Sequence, residues 1–213
     1  MILTFLLVGE EQMPLAERMV ASVRRVMRTV PIIQMRDEKT PEVPGIYASK
    51  VIPWDGTRLM TYRLQHLAEM RREDMMIVDT DVIVQQDMRR VFGSPFDVAL
   101  TKREGPILDP QGIDIAKLMP YNTGVMFSKC PAFWRDCYEW CAKAPEPIQK
   151  WWGDQLAVKT IAPSYRVREL PCDVYNYSPN HPDEDISGRA VLHYKGNRKD
   201  WMLKQWPLPT TPR

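Results

Sequence analysis

MMIVDTDVIV, residues 75–84, sets two carboxylates, Asp79 and Asp81, one residue apart in an otherwise apolar run. Met75 to Val78, continuously apolar and bounded by charge, reads as a strand buried on both faces of a parallel sheet. The aspartates come where it ends. In open α/β sheets ligands gather in the crevice beyond the carboxyl ends of the strands, so the pair is expected to project from the rim of the sheet. Along an extended backbone, residues two apart point the same way and lie about 6–7 Å from each other. Two unpaired carboxylates at that spacing repel and raise a pKa, whereas a divalent ion makes both ionised forms compatible. A hard cation with oxygen ligands, magnesium or manganese, suits them. The bland alternative is a solvated strand end.

Upstream, strand-like and helix-like segments alternate. Ile2 to Val8 is an apolar strand, and Pro14 to Met27 carries Leu15, Met19, Val23 and Val26 at helical spacing. Val30 to Met35 reads as a second strand. Pro41, Pro44 and Gly45 mark a loop before the short apolar piece at Val51 and Ile52, and Thr57 to Met70 returns to helical periodicity. This alternation predicts an α/β fold with a mostly parallel central sheet flanked by helices. Downstream, Thr101 to Pro120 holds Gly, Pro and Asp and is expected to wrap the site. Ala132 to Ala142 reads as a helix whose Trp134, Tyr138 and Cys141 face the core. From Trp201 onward three prolines and no regular pattern remain, which divides the chain into one catalytic domain over residues 1–200 and a Pro-rich tail over 201–213.

Composition sets the bounds. At 213 residues, with 44% hydrophobic and 26% charged residues, the chain suits one folded domain, and its 19 prolines point to many fixed turns. A formal charge of +2 with no basic stripe argues against nucleic acid as a partner. Cys130, Cys137, Cys141 and Cys172 form no CxxC pair, which favours a reduced compartment and a cytoplasmic protein. MILTFLLVG lacks a basic leader segment and meets Glu10 and Glu11 at once, so it reads as a strand rather than a signal peptide or membrane span.

Three more stretches carry candidate chemistry. In LHYKGNRKDW, residues 192–201, His193 offers a nitrogen ligand that favours manganese over magnesium; Gly196 lets backbone approach a phosphate and Lys199 neutralises it. The alternative is a strand-end histidine and a surface lysine. In YNTGVMF, residues 121–127, Asn122 and Thr123 either hydrogen-bond sugar hydroxyls or belong to a simple turn. In WWGDQLAV, residues 151–158, Asp154 and Gln155 open a helix, where Asp154 serves as an N-cap or as part of a site.

In this order the segments resemble glycosyltransferase family eight, the metal-dependent group that includes glycogenin and bacterial lipopolysaccharide galactosyltransferases. The resemblance runs from about Arg58 to Trp201 and is carried by Arg63-Leu64, IVDTDVIV, YNTGVMF, Gly153-Asp154-Gln155, LPCDVYNYSP and HYKGNRKDW. It implies the GT-A fold and a nucleoside-diphosphate sugar donor, UDP-linked. It further implies that Asp79, Asp81 and His193 are metal ligands, that Gly196 and Lys199 contact the diphosphate, and that Arg63 lies beside the nucleotide end. Asn122, Asp154 and Gln155 match positions around the donor sugar, and Tyr175 and Asn176 positions that shape the sugar and acceptor pocket. Two departures stand out: Val8, Gly9, Glu10 and Glu11 replace the family's base-holding Ala-Asp segment, and Asp200 replaces a proline.

The implied reaction transfers a hexose to a hydroxyl acceptor, a glycan, lipid-linked or protein group, with retention of configuration. Asp154 acting as a general base would instead give an inverting enzyme. Arg198, Lys199, Trp201, Lys204 and Trp206 mix basic and indole side chains, which suits peripheral contact with an anionic membrane face or a packed C-terminal extension. A haloacid-dehalogenase-like phosphatase also places Asp-x-Asp after a strand, but the residue four after Asp79 is Ile83 and the motif lies far from the N-terminus. An inactive nucleotide-sugar-binding module is the non-enzyme alternative.

Overall fold

The computed structural model describes residues 1–208. In chain order it contains β1 (Ile2–Leu6), α1 (Met13–Val26), β2 (Ile32–Arg36), β3 (Ala48–Val51), α2 (Leu59–Met70), β4 (Met75–Val78) and β5 (Val82–Val84). There follow β6 (Val98–Lys102), α3 (Ile115–Leu118), β7 (Tyr121–Ser128), α4 (Pro131–Ala142), α5 (Glu146–Lys150) and α6 (Gly153–Ile161). The chain continues through β8 (Val167–Pro171), α7 (Cys172–Tyr175), β9 (Val191–His193) and α8 (Lys199–Gln205).

Seven strands form one sheet in the order β3-β2-β1-β4-β7-β6-β8. β1 to β4 run parallel, as the βα alternation predicts, while β7 runs antiparallel to both β4 and β6. The four consecutive apolar residues of β4 are explained by cover on both faces. Met76 and Val78 join the core beneath α1, whereas Met75 and Ile77 join a second core with Leu64, Leu67, Phe133 and Trp134 from α2 and α4.

Two local readings of the sequence are corrected. Asn122-Thr123-Gly124 is no turn: all three lie inside β7, where the register against β6 jumps from Leu100↔Met126 to Thr101↔Asn122. The resulting bulge re-aims side chains, which bulges beside functional sites commonly do. The chain beyond Trp201 does not lose regular structure at once either, because α8 runs to Gln205 and buries Met202 against the first core. Pro207 breaks any continuation of that helix; Pro209 and Pro212 lie outside the described residues.

The second apolar half of the opening motif, Val82 to Val84, leaves the main sheet. It pairs antiparallel with β9, setting Val82 opposite His193, while the Tyr194 N–H donates to the Asp81 carbonyl at 2.8 Å. That small ribbon carries the closing motif to the aspartates.

Candidate functional site

A cleft of about 510 Å3 opens at the carboxyl ends of β1 and β4, within the range usual for small-molecule sites. Leu7, Val8 and Gln12 line one end, Asp79, Asp81 and His193 the floor, and Asn122, Asp154 and Gln155 the far wall. Gly196 and Lys199 close the side, with Arg63 beneath the floor. Every residue singled out from the sequence as catalytic, metal-binding or diphosphate-binding therefore lines one cleft. Tyr175 and Asn176 do not: Tyr175 packs on the first core and Asn176, 1% exposed, sits behind His193.

The carboxylates and the imidazole converge. His193 Nε2 lies 3.0 Å from Asp81 Oδ1 and 3.6 Å from Asp79 Oδ2, and one ligand atom from each residue falls within 4.8 Å of the others. These separations fit one small cation, since ligands at about 2.0–2.2 Å around a six-coordinate ion stand about 3 Å apart. Asp81 is more enclosed than a rim position implies, at 8% exposure. Asp79 keeps 34% of its side chain open to the cleft.

Electrostatics differ between the two. Burial, joined by the nearby Asp81 and Asp154, raises the pKa of Asp79 despite the opposing pull of Arg63 and His193. For Asp81 burial also acts upward, but His193 and Lys199, whose Nζ lies 3.7 Å away, outweigh it and hold the carboxyl below its ordinary value. A divalent ion relieves the like-charge repulsion at Asp79.

Gly124 shapes this corner from the β7 side. A Cβ there would stand 2.1 Å from His193 Cε1 and 2.5 Å from Nδ1, so only glycine lets the ring lie against the strand. Gly196 is required for another reason: its φ of +58° is left-handed backbone, which L side chains adopt at a cost.

Arg63, buried on α2, joins the floor to the far wall. Its Nη2 lies 2.8 Å from Asp79 Oδ1 and donates to the Thr123 carbonyl at 2.9 Å, while Nη1 donates to Asp154 Oδ2 at 2.7 Å. Burial alone would lower the pKa of the guanidinium, but Asp79 and Asp154 together raise it. Asp154 is no N-cap: that position belongs to Trp152, and Asp154 is the second residue of α6. Its Oδ2 also accepts from Thr123 Oγ1 at 2.8 Å and its Oδ1 from the Gln155 N–H at 2.8 Å.

Several lining residues are absent from the sequence reading. Of the segment 101–120, only Arg103 reaches the cleft, where it donates to Gln155 Oε1 at 2.6 Å. Lys195 also faces in, and burial lowers its pKa. Alternation two residues after His193 is the one signal that could have pointed to it. Trp151 and Trp152 stand at the mouth, 61% and 45% exposed, Trp152 with a left-handed φ of +68°. Nothing in the sequence announces that strain, which for a bulky residue is worth an explanation in function.

No protein-family model matches the chain, and no curated protein matches its sequence. Solved structures do match in fold. One is the apo bifunctional glycosyltransferase WbbM, at a TM-score of 0.66 and 12% identity over 97% of this chain and 50% of that one. Another is a glycosyltransferase involved in glycosylation of the major capsid of PBCV-1, at 0.62 and 16% over 95% and 98%. A third is the galactosyltransferase LgtC in complex with donor and acceptor sugar analogs, at 0.62 and 15% over 100% and 98%. The chain thus spans half the length of WbbM and nearly all of the other two. The α/β architecture, a seven-stranded sheet flanked by helices, is that of the GT-A glycosyltransferases.

Proposed function

We propose that this chain is a metal-dependent glycosyltransferase of the family-eight type, moving a hexose from a UDP-linked donor to a hydroxyl acceptor with retention of configuration. The observation that carries the reading is the convergence of Asp79, Asp81 and His193, from two distant motifs, on one point in a cleft also lined by Lys199, Arg63, Asn122 and Asp154.

Charge explains the need for a metal. Three carboxylates, Asp79, Asp81 and Asp154, face four cationic side chains, Arg63, Arg103, Lys195 and Lys199, so the protein alone has too little positive excess to hold a diphosphate. Asp79, Asp81 and His193 would hold a manganese or magnesium ion, which would supply Lewis-acid stabilisation of the departing diphosphate. Lys199 and Lys195 add charge beside it, where negative charge grows as the glycosidic bond breaks. Gly196 lets the backbone approach the same phosphates. Arg63, already shared between two carboxylates, orients the floor rather than adding charge.

Asn122 and Gln155 hold the sugar ring on the far wall so that the acceptor hydroxyl meets the anomeric carbon at attack distance. Asp154 shares its carboxylate among Arg63, Thr123 and the Gln155 N–H. A base so engaged is poorly placed to take an acceptor proton, which favours retention over inversion. Trp151 and Trp152 present indole faces at the mouth, suited to stack on a glycan acceptor.

A thermal-shift titration tests the core of this reading, because a ligand that binds only the native state raises its melting point. UDP with manganese is expected to stabilise the protein, neither component alone to do so fully, and Asp81→Ala to abolish the effect. Equal stabilisation of the alanine variant refutes the metal assignment.

A further inference from the structure

The hydrogen bonds behind His193 determine which of its nitrogens carries the proton. The Gly124 backbone N–H, an unambiguous donor, points at Asn122 Oδ1 at 2.9 Å. That fixes the Asn122 amide with its oxygen inward. Asn176 Nδ2 lies 2.9 Å from the same oxygen and 2.7 Å from Thr101 Oγ1, a hydroxyl that in turn donates to the Asn122 carbonyl at 3.0 Å. An acceptor facing Asn122 Oδ1 would be repelled, so the Asn176 amide nitrogen must stand there and its Oδ1 must face the imidazole. Asn176 Oδ1 lies 2.8 Å from His193 Nδ1. An amide oxygen only accepts, so Nδ1 holds a hydrogen, and Nε2 is the nitrogen left facing Asp79 and Asp81, at 3.6 and 3.0 Å, to ligate a cation that binds between them.

We infer that Asn176 is a positioning residue that holds His193 in its Nδ1–H tautomer, with Nε2 free to ligate a cation, and that Asn122 and Gly124 orient Asn176 for that task. The inference rests on the metal assignment proposed above. Asn176 is 1% exposed and lines no part of the cleft, so it touches neither substrate nor ion and acts through the imidazole. The same chain gives Asn122 a directional role: its oxygen accepts from Gly124 and Asn176, which leaves only its Nδ2 to meet a ligand, as a donor. Outer partners of this kind fix ligand orientation in metal sites, and their loss costs about 10–100-fold in metal affinity.

The chain contains three histidines, so imidazole nitrogen-15 spectra are simple to assign with a His193→Gln control. Spectra of the metal-free protein are expected to show a proton on His193 Nδ1 whatever Nε2 carries toward Asp81, and addition of magnesium to leave that Nδ1 proton in place. Asn176→Leu removes the acceptor and should yield the other tautomer or a mixture, with manganese affinity by calorimetry down about 10–100-fold. Asn176→Asp keeps an oxygen toward Nδ1 but, like leucine, loses the donor to Asn122. It should lose stability as the leucine variant does while keeping the Nδ1–H tautomer and most of the affinity. A wild-type His193 without a proton on Nδ1 overturns the inference, as does undiminished manganese binding by Asn176→Leu or an aspartate variant as weak as the leucine one. If the wild type takes up no manganese at all, the metal assignment fails, while the tautomer spectrum still reads the positioning role by itself.

Discussion

At the scale of single residues, the site depends on one absent side chain as much as on the charged ones present. Gly124 stands in the interior of a strand, where glycine weakens the backbone, and its place is justified by the imidazole lying against it. Gly124→Ala should cost about 1–3 kcal/mol through overpacking and push His193 away from the aspartates, lowering manganese affinity at least as far as Asn176→Leu does. Calorimetric titration beside a melting curve separates the two effects. Unchanged affinity would mean that the ring has room the structure does not show. At the mouth, Trp151→Ala should leave the melting point and UDP binding unchanged while raising the KM for acceptor, since the indole is 61% exposed and contributes little to the core. Loss of UDP binding in that variant would move Trp151 to the donor side.

At the scale of elements, α2 holds two buried polar side chains, one that reaches the cleft fully paired and one without a hydrogen-bond partner. Arg63 bridges Asp79 and Asp154, and the Asp154 side chain is only 3% exposed. Breaking a buried ion pair leaves an uncompensated charge, so Arg63→Met should destabilise by about 3–5 kcal/mol. The double variant Arg63→Met with Asp154→Leu should recover most of that loss in urea unfolding. Additive losses in the double variant would show that the two side chains are not coupled. One turn further along, His66 is fully buried and neither ring nitrogen has a hydrogen-bond partner. Tyr62 packs edge-on against it, and Lys50 of β3 and Glu69 of α2 are the charges that face it.

Burial pushes the His66 pKa down to about 4. Its unfolded counterpart takes a proton near pH 6.5, so the unfolded state binds more protons between those values. Stability from this group is complete above about pH 6.5 and is lost as pH falls towards 4, by about 3 kcal/mol in total. His66→Phe should flatten that part of the stability curve. A wild-type curve with the same slope as the phenylalanine variant across this window would contradict the burial effect.

At the scale of the whole molecule, the corner that holds Asp79, Asp81 and His193 is braced by α8 and the residue after it. Trp206 Nε1 donates to Tyr194 Oη at 2.9 Å, Tyr194 Oη donates to Gln205 Oε1 at 2.8 Å, and Arg25 of α1 lies 4.8 Å from the Trp206 ring centroid. Tyr194 follows His193 directly. Trp201 and Trp206, two of the side chains whose sequence suits either a membrane face or a packed extension, both lie against the first core. Truncation after Lys199 keeps every ligand and lysine of the site, yet should lower both the melting point and manganese affinity by releasing Tyr194. A truncated protein that binds manganese normally would confine the role of α8 to stability.

The legible part of this protein follows from short-range rules. The βα alternation, the doubly buried β4 and the placement of Asp79 and Asp81 at its carboxyl end all come from hydrophobic period and strand geometry, which act over a few residues. The closing motif, through His193, Gly196 and Lys199, is legible as a pattern of residue types suited to a cation and a phosphate. What only the tertiary structure decided is which groups those residues meet. The antiparallel run of β7, the Thr123–Val125 bulge and the β5–β9 ribbon arise from pairing between distant strands, and local propensity carries no record of such partners. Arg63 in its double salt bridge, Asn176 behind the imidazole and Lys195 facing the cleft depend on that pairing, because hydrogen bonds and charges act through space while the sequence orders residues only along the chain.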